Sequence, residues 1–459
     1  MALVWRGVVE GFYGRPWTHE QRLDTIDWLG RHHFNAYLYA PKDDPLHRDR
    51  WREPYPPEAM RRFEELAQAG RASGVEWMVA ISPGLSLVYS DPAELDRLWA
   101  KLEAFVGIGV RAFGLFFDDI PPALGHEEDR RAYATLAEAQ ADFAGRLWRR
   151  MQPRGLHLMV CPTHYCGDPD VPYLRELGER LDRAVDLFWT GPAVCSREVP
   201  DEHARRVAEV MRRPPLLWDN YPVNDAHMAP ELHIGPYTGR GAHLDGILRG
   251  VFANPMNQPY ASRLALFTIG RYLQAPSRYD PEQAWSEGAR QLLGGDETLV
   301  QALGTLARCA SITPLAPEEP PWLVGLFRRF EELTGSFHFE EGLRELQQGI
   351  AELRQAHAAL RQGAERYPVL ADMRPWIEDM GRWTELLEAA VDLIVTDGAL
   401  SWMGDAGADR QALQRRFAEL RERVRSGLKE SVDWPTRTCG DTARAFVQHV
   451  LRRSVARSG

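Results

Sequence analysis

RAFGLFFDDI, residues 111–120, runs from Ala112 to Phe117 without a polar side chain and then sets Asp118 beside Asp119. A strand buried on both faces reads as a continuous apolar run. Two adjacent carboxylates repel each other if both are charged. The pair is therefore read at the end of a buried strand, not within it. An Asp-Asp pair alone suits a solvated turn or a helix N-cap as well; the apolar run before it argues for a strand end.

Working outward, eight such runs occur between residues 3 and 255: LVWRGVVEGFYG (3–14), NAYLYAP (35–41), WMVAISP (77–83), FGLFFDD (113–119), LHLMVCPTHY (156–165), DLFWTGP (186–192), PLLWDNY (215–221) and GILRGVFANP (246–255). The stretches between them are long enough for a helix each. TIDWLGRHH has apolar residues at helical spacing, and Thr18 with Gln21 resembles a capping box before it. DPAELDRLWAKLEAFVGIG opens with Asp91 as N-cap and Pro92 at the first helical position. Eight strand–helix units over about 250 residues are what a (β/α)8 barrel requires. A doubly wound sheet is the rival, but no Gly-rich phosphate loop follows an early strand. The runs end in Tyr13, Lys42, Asp118 and Asp119, His164 and Tyr165, Thr190, Asp219 and Asn220, and Asn254. In a barrel all of these converge on the C-terminal mouth, where active sites sit.

Beyond about residue 275 the pattern turns helical in PEQAWSEGARQLLGG, EEGLRELQQGIAELRQAHAALRQGAERY, MRPWIEDMGRWTELLEAAVDLIVTDGAL and ADRQALQRRFAELRERVRSGLKESV. PLAPEEPPW (314–322) is a Pro-rich linker between helices. The expected class is α/β: a TIM-type (β/α)8 barrel catalytic domain over 1–275, followed by an all-α helical bundle over 276–459.

Composition narrows the function classes. Of 459 residues, 44% are hydrophobic and 26% charged, which suits a soluble globular protein. The net charge of −10 argues against nucleic-acid binding. Of the 55 basic residues only Lys42, Lys101 and Lys429 are lysines. The five cysteines are odd in number and form no CxxC, which fits reduced thiols in a cytoplasm. No leader pattern opens the chain and no apolar run reaches the length of a membrane span, so no membrane association is expected. There is no HExxH and no GxSxG. Asp118, Asp119, Asp219 and Asp225 could in principle hold a hard cation, but no metal or cofactor is expected. Two carboxylates at one mouth suit glycosidic hydrolysis, with one ionised and the other holding a proton. Trp189 and Trp218, at strand ends, read as core or as sugar-stacking faces.

Eight motifs in order carry a resemblance: GVVEGFYGRPW (7–17), YLYAPKDD (37–44), ISPGL (81–85), LFFDDI (115–120), CPTHYCG (161–167), WTGP (189–192), WDNYPVND (218–225) and GVFANP (250–255). Over residues 5 to 260 the chain resembles glycoside hydrolase family 84, the O-GlcNAcases. The resemblance implies retaining, substrate-assisted hydrolysis, in which the sugar's 2-acetamido oxygen attacks the anomeric carbon and forms an oxazoline. It implies that Asp118 binds the acetamido N–H and that Asp119 is the general acid and base. It gives Tyr165 to the acetamido oxygen, and Cys161, Thr190 and Trp218 to the pocket around the acetyl methyl. Asp225 falls to the 4- and 6-hydroxyls, and Lys42, Asn254 and the Gly11 carbonyl to other hydroxyls. Asn220 matches a site asparagine near the acetamide, and Val194 a residue on the aglycone side.

The implied substrate is N-acetylglucosamine on Ser or Thr of proteins. The alternatives are another glycan carrying that sugar, such as hyaluronan or peptidoglycan fragments, and a sugar-binding module without turnover. The intact acid pair argues against the last. Two positions depart from the animal enzymes: Ala226 replaces an aromatic residue and His164 a glutamate. Neither the N-terminal α/β domain of many bacterial relatives nor the acetyltransferase-like domain of the animal ones is expected in this chain. The resemblance further implies a homodimer through the C-terminal helices.

Overall fold

A computed structural model describes residues 3–402 and 408–456. The expected domain spans also include residues 1–2, 403–407 and 457–459, which lie outside the described residues. Eight strands close into a barrel: β1 (Trp5–Glu10), β2 (Ala36–Tyr39), β3 (Glu76–Ile81), β4 (Ala112–Phe116), β5 (His157–Cys161), β6 (Asp186–Trp189), β7 (Leu216–Asp219) and β8 (Gly250–Ala253). Each pairs in parallel with the next, and β8 returns to β1 with Trp5 opposite Gly250 and Val8 opposite Ala253. The strands are shorter than the apolar runs. Apart from Asp219, which pairs with Ala253 within β7, the polar ends of those runs lie beyond the last ladder pairs, as loop starts at the C-terminal rim.

Local signals account for the helix starts. The Thr18 hydroxyl accepts from the Gln21 backbone N–H at 3.2 Å, while the Gln21 side chain accepts from the Thr18 N–H at 2.8 Å, opening the helix His19–Arg31. Asp91 accepts from the Ala93 N–H at 2.8 Å ahead of Pro92, opening the helix Pro92–Gly107. Such caps satisfy backbone donors that a helix leaves open. One expectation fails: the connection from β7 to β8 holds only the short 3₁₀ turns Ala226–Met228 and Leu244–Gly246 and no α-helix. Its length alone could not reveal this.

Side chains alternate across each strand, and that parity fills the barrel. Val9, Leu38, Ala80, Phe116, Cys161, Phe188, Trp218 and Phe252 belong to one buried interior cluster. Each fully buried Phe contributes about 1.5–3 kcal/mol. Gly114 shares this inward parity. A Cβ there would meet the Cβ of Ala80 at 2.7 Å, so the packing admits only glycine.

The chain divides into two compact units, Met1–Ala226 with Pro236–Trp285, and His227–Gly235 with Ser286–Gly459. The second unit is helical. It holds Glu297–Cys309, Pro321–Gly335, Phe339–Gly363, Arg374–Trp402, Ala408–Glu430 and Thr442–Ala456. Three of these helices, Glu297–Cys309, Pro321–Gly335 and Thr442–Ala456, were not read from the sequence. Phe327 stacks on Phe446 at 4.3 Å, and Trp383 meets Trp434 edge-on at 5.0 Å. The segment His227–Gly235 is tied in through the Pro230 carbonyl, which accepts from Trp376 Nε1 at 2.8 Å and from the Arg437 N–H at 2.7 Å. Among the described residues no helix is long and apolar enough to cross a membrane.

Candidate active site

The inward parity of the strands runs on past their ends, and it delivers most of the site. Ala36, Leu38 and Ala40 lead to Lys42; Ala112, Gly114 and Phe116 lead to Asp118; Phe188 leads to Thr190, Trp218 to Asn220 and Phe252 to Asn254. Asp119 has the opposite parity. Its backbone adopts φ 55°, a left-handed conformation uncommon for a residue with a Cβ. That turn brings its carboxyl back over the mouth beside Asp118. So two adjacent aspartates reach one site by different means, alternation for the first and a backbone reversal for the second.

Their surroundings differ too. The Asp118 side chain is 8% exposed and its Oδ2 is paired with the ammonium of Lys42, itself buried. Asp118 Oδ1 is buried and accepts no hydrogen bond from the protein. Buried polar atoms are ordinarily paired, so an orphan acceptor at a strand end suits a donor brought by a ligand. The Asp119 side chain is 31% exposed. Its Oδ2 accepts from the Tyr13 hydroxyl at 2.6 Å and its Oδ1 from the Tyr165 hydroxyl at 2.7 Å, and Lys42 Nζ stands 3.8 Å away. Burial acts to raise the Asp119 carboxyl, but Lys42 and the two hydroxyls outweigh it and hold the group below its ordinary value. For Lys42, burial acts to lower the ammonium, but the two aspartates outweigh it, so it stays charged. Lys42 therefore pairs with Asp118; Asp44 instead takes the hydroxyls of Tyr39 and Tyr55 at 2.8 and 2.7 Å.

A hydrogen-bonded chain joins the other predicted residues. The Gly11 N–H donates to Asn254 Oδ1 at 3.3 Å, and Asn254 Nδ2 donates to Asn220 Oδ1 at 2.9 Å. Trp218 Nε1 donates to the same Asn220 oxygen at 2.9 Å, and Asn220 Nδ2 donates to the Val194 carbonyl at 2.8 Å. Gly11 allows this closeness: a Cβ there would sit 2.5 Å from the Trp218 ring. Asp225 accepts from the Tyr13 N–H at 2.7 Å. The Thr190 N–H donates to the Tyr165 carbonyl at 2.8 Å. Cys161 is buried at the end of β5 within the apolar cluster, and burial pushes its thiol well up, so it is a neutral packing surface. Val194 is exposed at the rim.

Parity also separates the bystanders. Trp189 points away from the barrel axis and donates through Nε1 to His203 at 3.0 Å, so of the two tryptophans only Trp218 belongs to the site. Asp219, which the sequence reading sent to the mouth, instead meets the Arg240 guanidinium at 2.9 Å and the Tyr237 hydroxyl. Among the described residues no group of three or more His, Cys, Asp or Glu side chains converges as metal ligands would. The sequence reading left Tyr13 and Arg48 out of its site residues. Tyr13 lies in the GFYG motif it quoted, whereas Arg48 stands on a loop with no local signal.

Comparisons with known proteins agree with this geometry. A family model described as beta-N-acetylglucosaminidase (NAGidase) matches residues 6–308. Over 276 residues the chain is 39% identical to the protein O-GlcNAcase of Mus musculus, and equally to that of Rattus norvegicus. Each match covers 59% of this chain but only 30% of the relative's length. The solved structure of a mutant of the Thermobaculum terrenum O-GlcNAc hydrolase is similar with a TM-score of 0.94 at 42% identity, covering 99% of this chain and 96% of that one.

Proposed function

The chain belongs to the beta-N-acetylglucosaminidase family, and from that premise we propose that it is a retaining hydrolase of terminal β-linked N-acetylglucosamine that works by substrate assistance. The single observation that carries the mechanism is the orphan Oδ1 of Asp118, on a buried carboxylate whose other oxygen is held by Lys42. It is suited to accept from the acetamido N–H and so to turn the acetamido oxygen under the ring. That oxygen attacks the anomeric carbon. The bond to the leaving oxygen breaks, and the leaving oxygen takes a proton from Asp119. Water then attacks the anomeric carbon of the oxazoline, Asp119 takes a proton from it, and the ring opens back to the acetamide with configuration retained. A nucleophile already attached can have an effective molarity of about 10⁵ M or more.

Asp119 must first acquire a proton. Tyr165 is the hydroxyl we assign to the acetamido oxygen, and taking it from Asp119 removes one of the donors that keep the carboxyl ionised. Exclusion of water by the sugar acts in the same direction. Cys161, Thr190 and Trp218 enclose the acetyl methyl in this reading. Gly11, Lys42, Asn220, Asp225 and Asn254 hold the sugar, and Val194 borders the leaving group. The names of the similar proteins support O-linked N-acetylglucosamine on protein as the substrate. We take residues 1–275 as the catalytic domain and assign the helices of 276–459 to a homodimer contact. The exposed Phe337, Trp402 and Val432 in that span support such a contact.

Aryl β-N-acetylglucosaminides with none to three fluorines on the acetyl methyl test the mechanism. The expected rate falls steeply with each fluorine, because each makes the acetamido oxygen a weaker nucleophile. Rates indifferent to fluorine would exclude substrate assistance.

A further inference from the structure

Arg48 has no part in the reaction as set out above, yet its placement is rigid. The loop that carries it is pinned behind the site. His47 Nδ1 stands 2.7 Å from the Ala80 carbonyl, and the Ser82 N–H donates to the His47 carbonyl at 2.9 Å. The Leu46 N–H donates to Asp44 Oδ1 at 2.9 Å. From this base the half-buried guanidinium reaches two acceptors at once. Nη1 donates to the Tyr13 hydroxyl at 3.1 Å, and Nη2 donates to the backbone carbonyl of Asp119 at 3.1 Å. The second contact falls on the one site residue whose backbone is left-handed. A non-glycine residue held in that region needs surroundings that over-determine it.

We propose that Arg48 is a positioning residue for proton transfer, fixing the left-handed backbone of Asp119 and the Tyr13 hydroxyl together so that the Asp119 carboxyl is aimed at the leaving oxygen. The inference rests on the acid role given to Asp119. The planar fork of a guanidinium can span both acceptors, whereas an ammonium, a point charge, meets one of them. Arg48 touches neither the anomeric carbon nor the acetamide in this arrangement. Its loss therefore affects the step that needs a proton and spares the steps that do not.

Leaving groups separate the two. A dinitrophenyl glycoside departs without a proton, and an alkyl glycoside does not. Arg48→Met is expected to lower kcat/KM for the alkyl glycoside by about 100-fold, the scale of a small misplacement of a catalytic group. The loss for the dinitrophenyl glycoside should be far smaller and KM little changed. Arg48→Lys should recover part of the alkyl activity, and it decides the matter if the methionine variant does not fold. Equal losses on both substrates, or none on either, would overturn the inference. Asp119→Asn run in parallel keeps the two levels apart. Leaving-group dependence in Asp119→Asn without any in the Arg48 variants overturns the inference alone. Its absence in Asp119→Asn overturns the acid role and the inference with it.

Discussion

At Asp119 the protonation state is set by neighbours from three other loops. Burial favours the neutral acid; Lys42, the Tyr13 and Tyr165 hydroxyls and Arg48 favour the carboxylate and prevail. As general acid, Asp119 must be protonated, so kcat/KM falls as pH rises and its carboxyl ionises. Removing the Tyr13 hydroxyl takes away a donor to the ionised form. Tyr13→Phe should therefore move the basic limb of the kcat/KM profile to higher pH. A limb that moves to lower pH would contradict the acid role, because the same lost hydrogen bond can only favour the proton. The sequence places the carboxylates, Lys42, Tyr13 and Tyr165 at strand ends but does not show that the latter three meet Asp119. Tyr13 and Tyr165 are far apart along the chain and meet Asp119 only in the fold.

Strand ends are the element on which the site depends, and two of them, β1 and β7, are braced on the outward side by a buried acid. Glu10, outward at the end of β1, accepts from the Trp17 N–H at 3.1 Å and from Arg22 through two contacts at 2.8 Å, and it pairs with the Tyr37 hydroxyl. Asp219 plays the same part at β7, between Trp218 and Asn220 of the site. Its side chain is 2% exposed and that of Arg240 1%. Breaking a buried pair leaves an uncompensated charge, which costs about 3–5 kcal/mol. Arg240→Met should lose stability on that scale in urea unfolding. A loss near zero would show that Tyr237 alone satisfies the carboxylate. Locally, GPYTGRG (235–241) carries only turn signals. That its Tyr237 and Arg240 serve β7 is decided by where the loop crosses behind the strand.

For the whole molecule, the family likeness and the exposed Phe337, Trp402 and Val432 bear on assembly. Large apolar side chains left to water mark contact surfaces when they cluster. Sedimentation of the 52.2 kDa chain at micromolar concentration is expected to give a species of twice that mass. A single species at the monomer mass would remove the homodimer. The acidic net charge of −10 opposes self-association, so raising salt should shift the equilibrium toward the dimer.

By itself the sequence determined what depends on local pattern. Short continuous apolar runs mark the eight buried strands, caps at Thr18 and Asp91 mark helix starts, and helical spacing announces the second unit. It also determined which residues stand at strand ends, and the motif order pointed to the family. Three matters were left to the tertiary structure. It decided which strand-end residues face the mouth, because parity is read only once a register exists: Thr190 and Asn220 face in, Trp189 and Asp219 face out. It decided that Asp119 joins Asp118, through a backbone reversal that no residue type announces. And it decided that Arg48 reaches Asp119, since hydrogen bonds between loops depend on where the closed barrel sets those loops and not on sequence spacing.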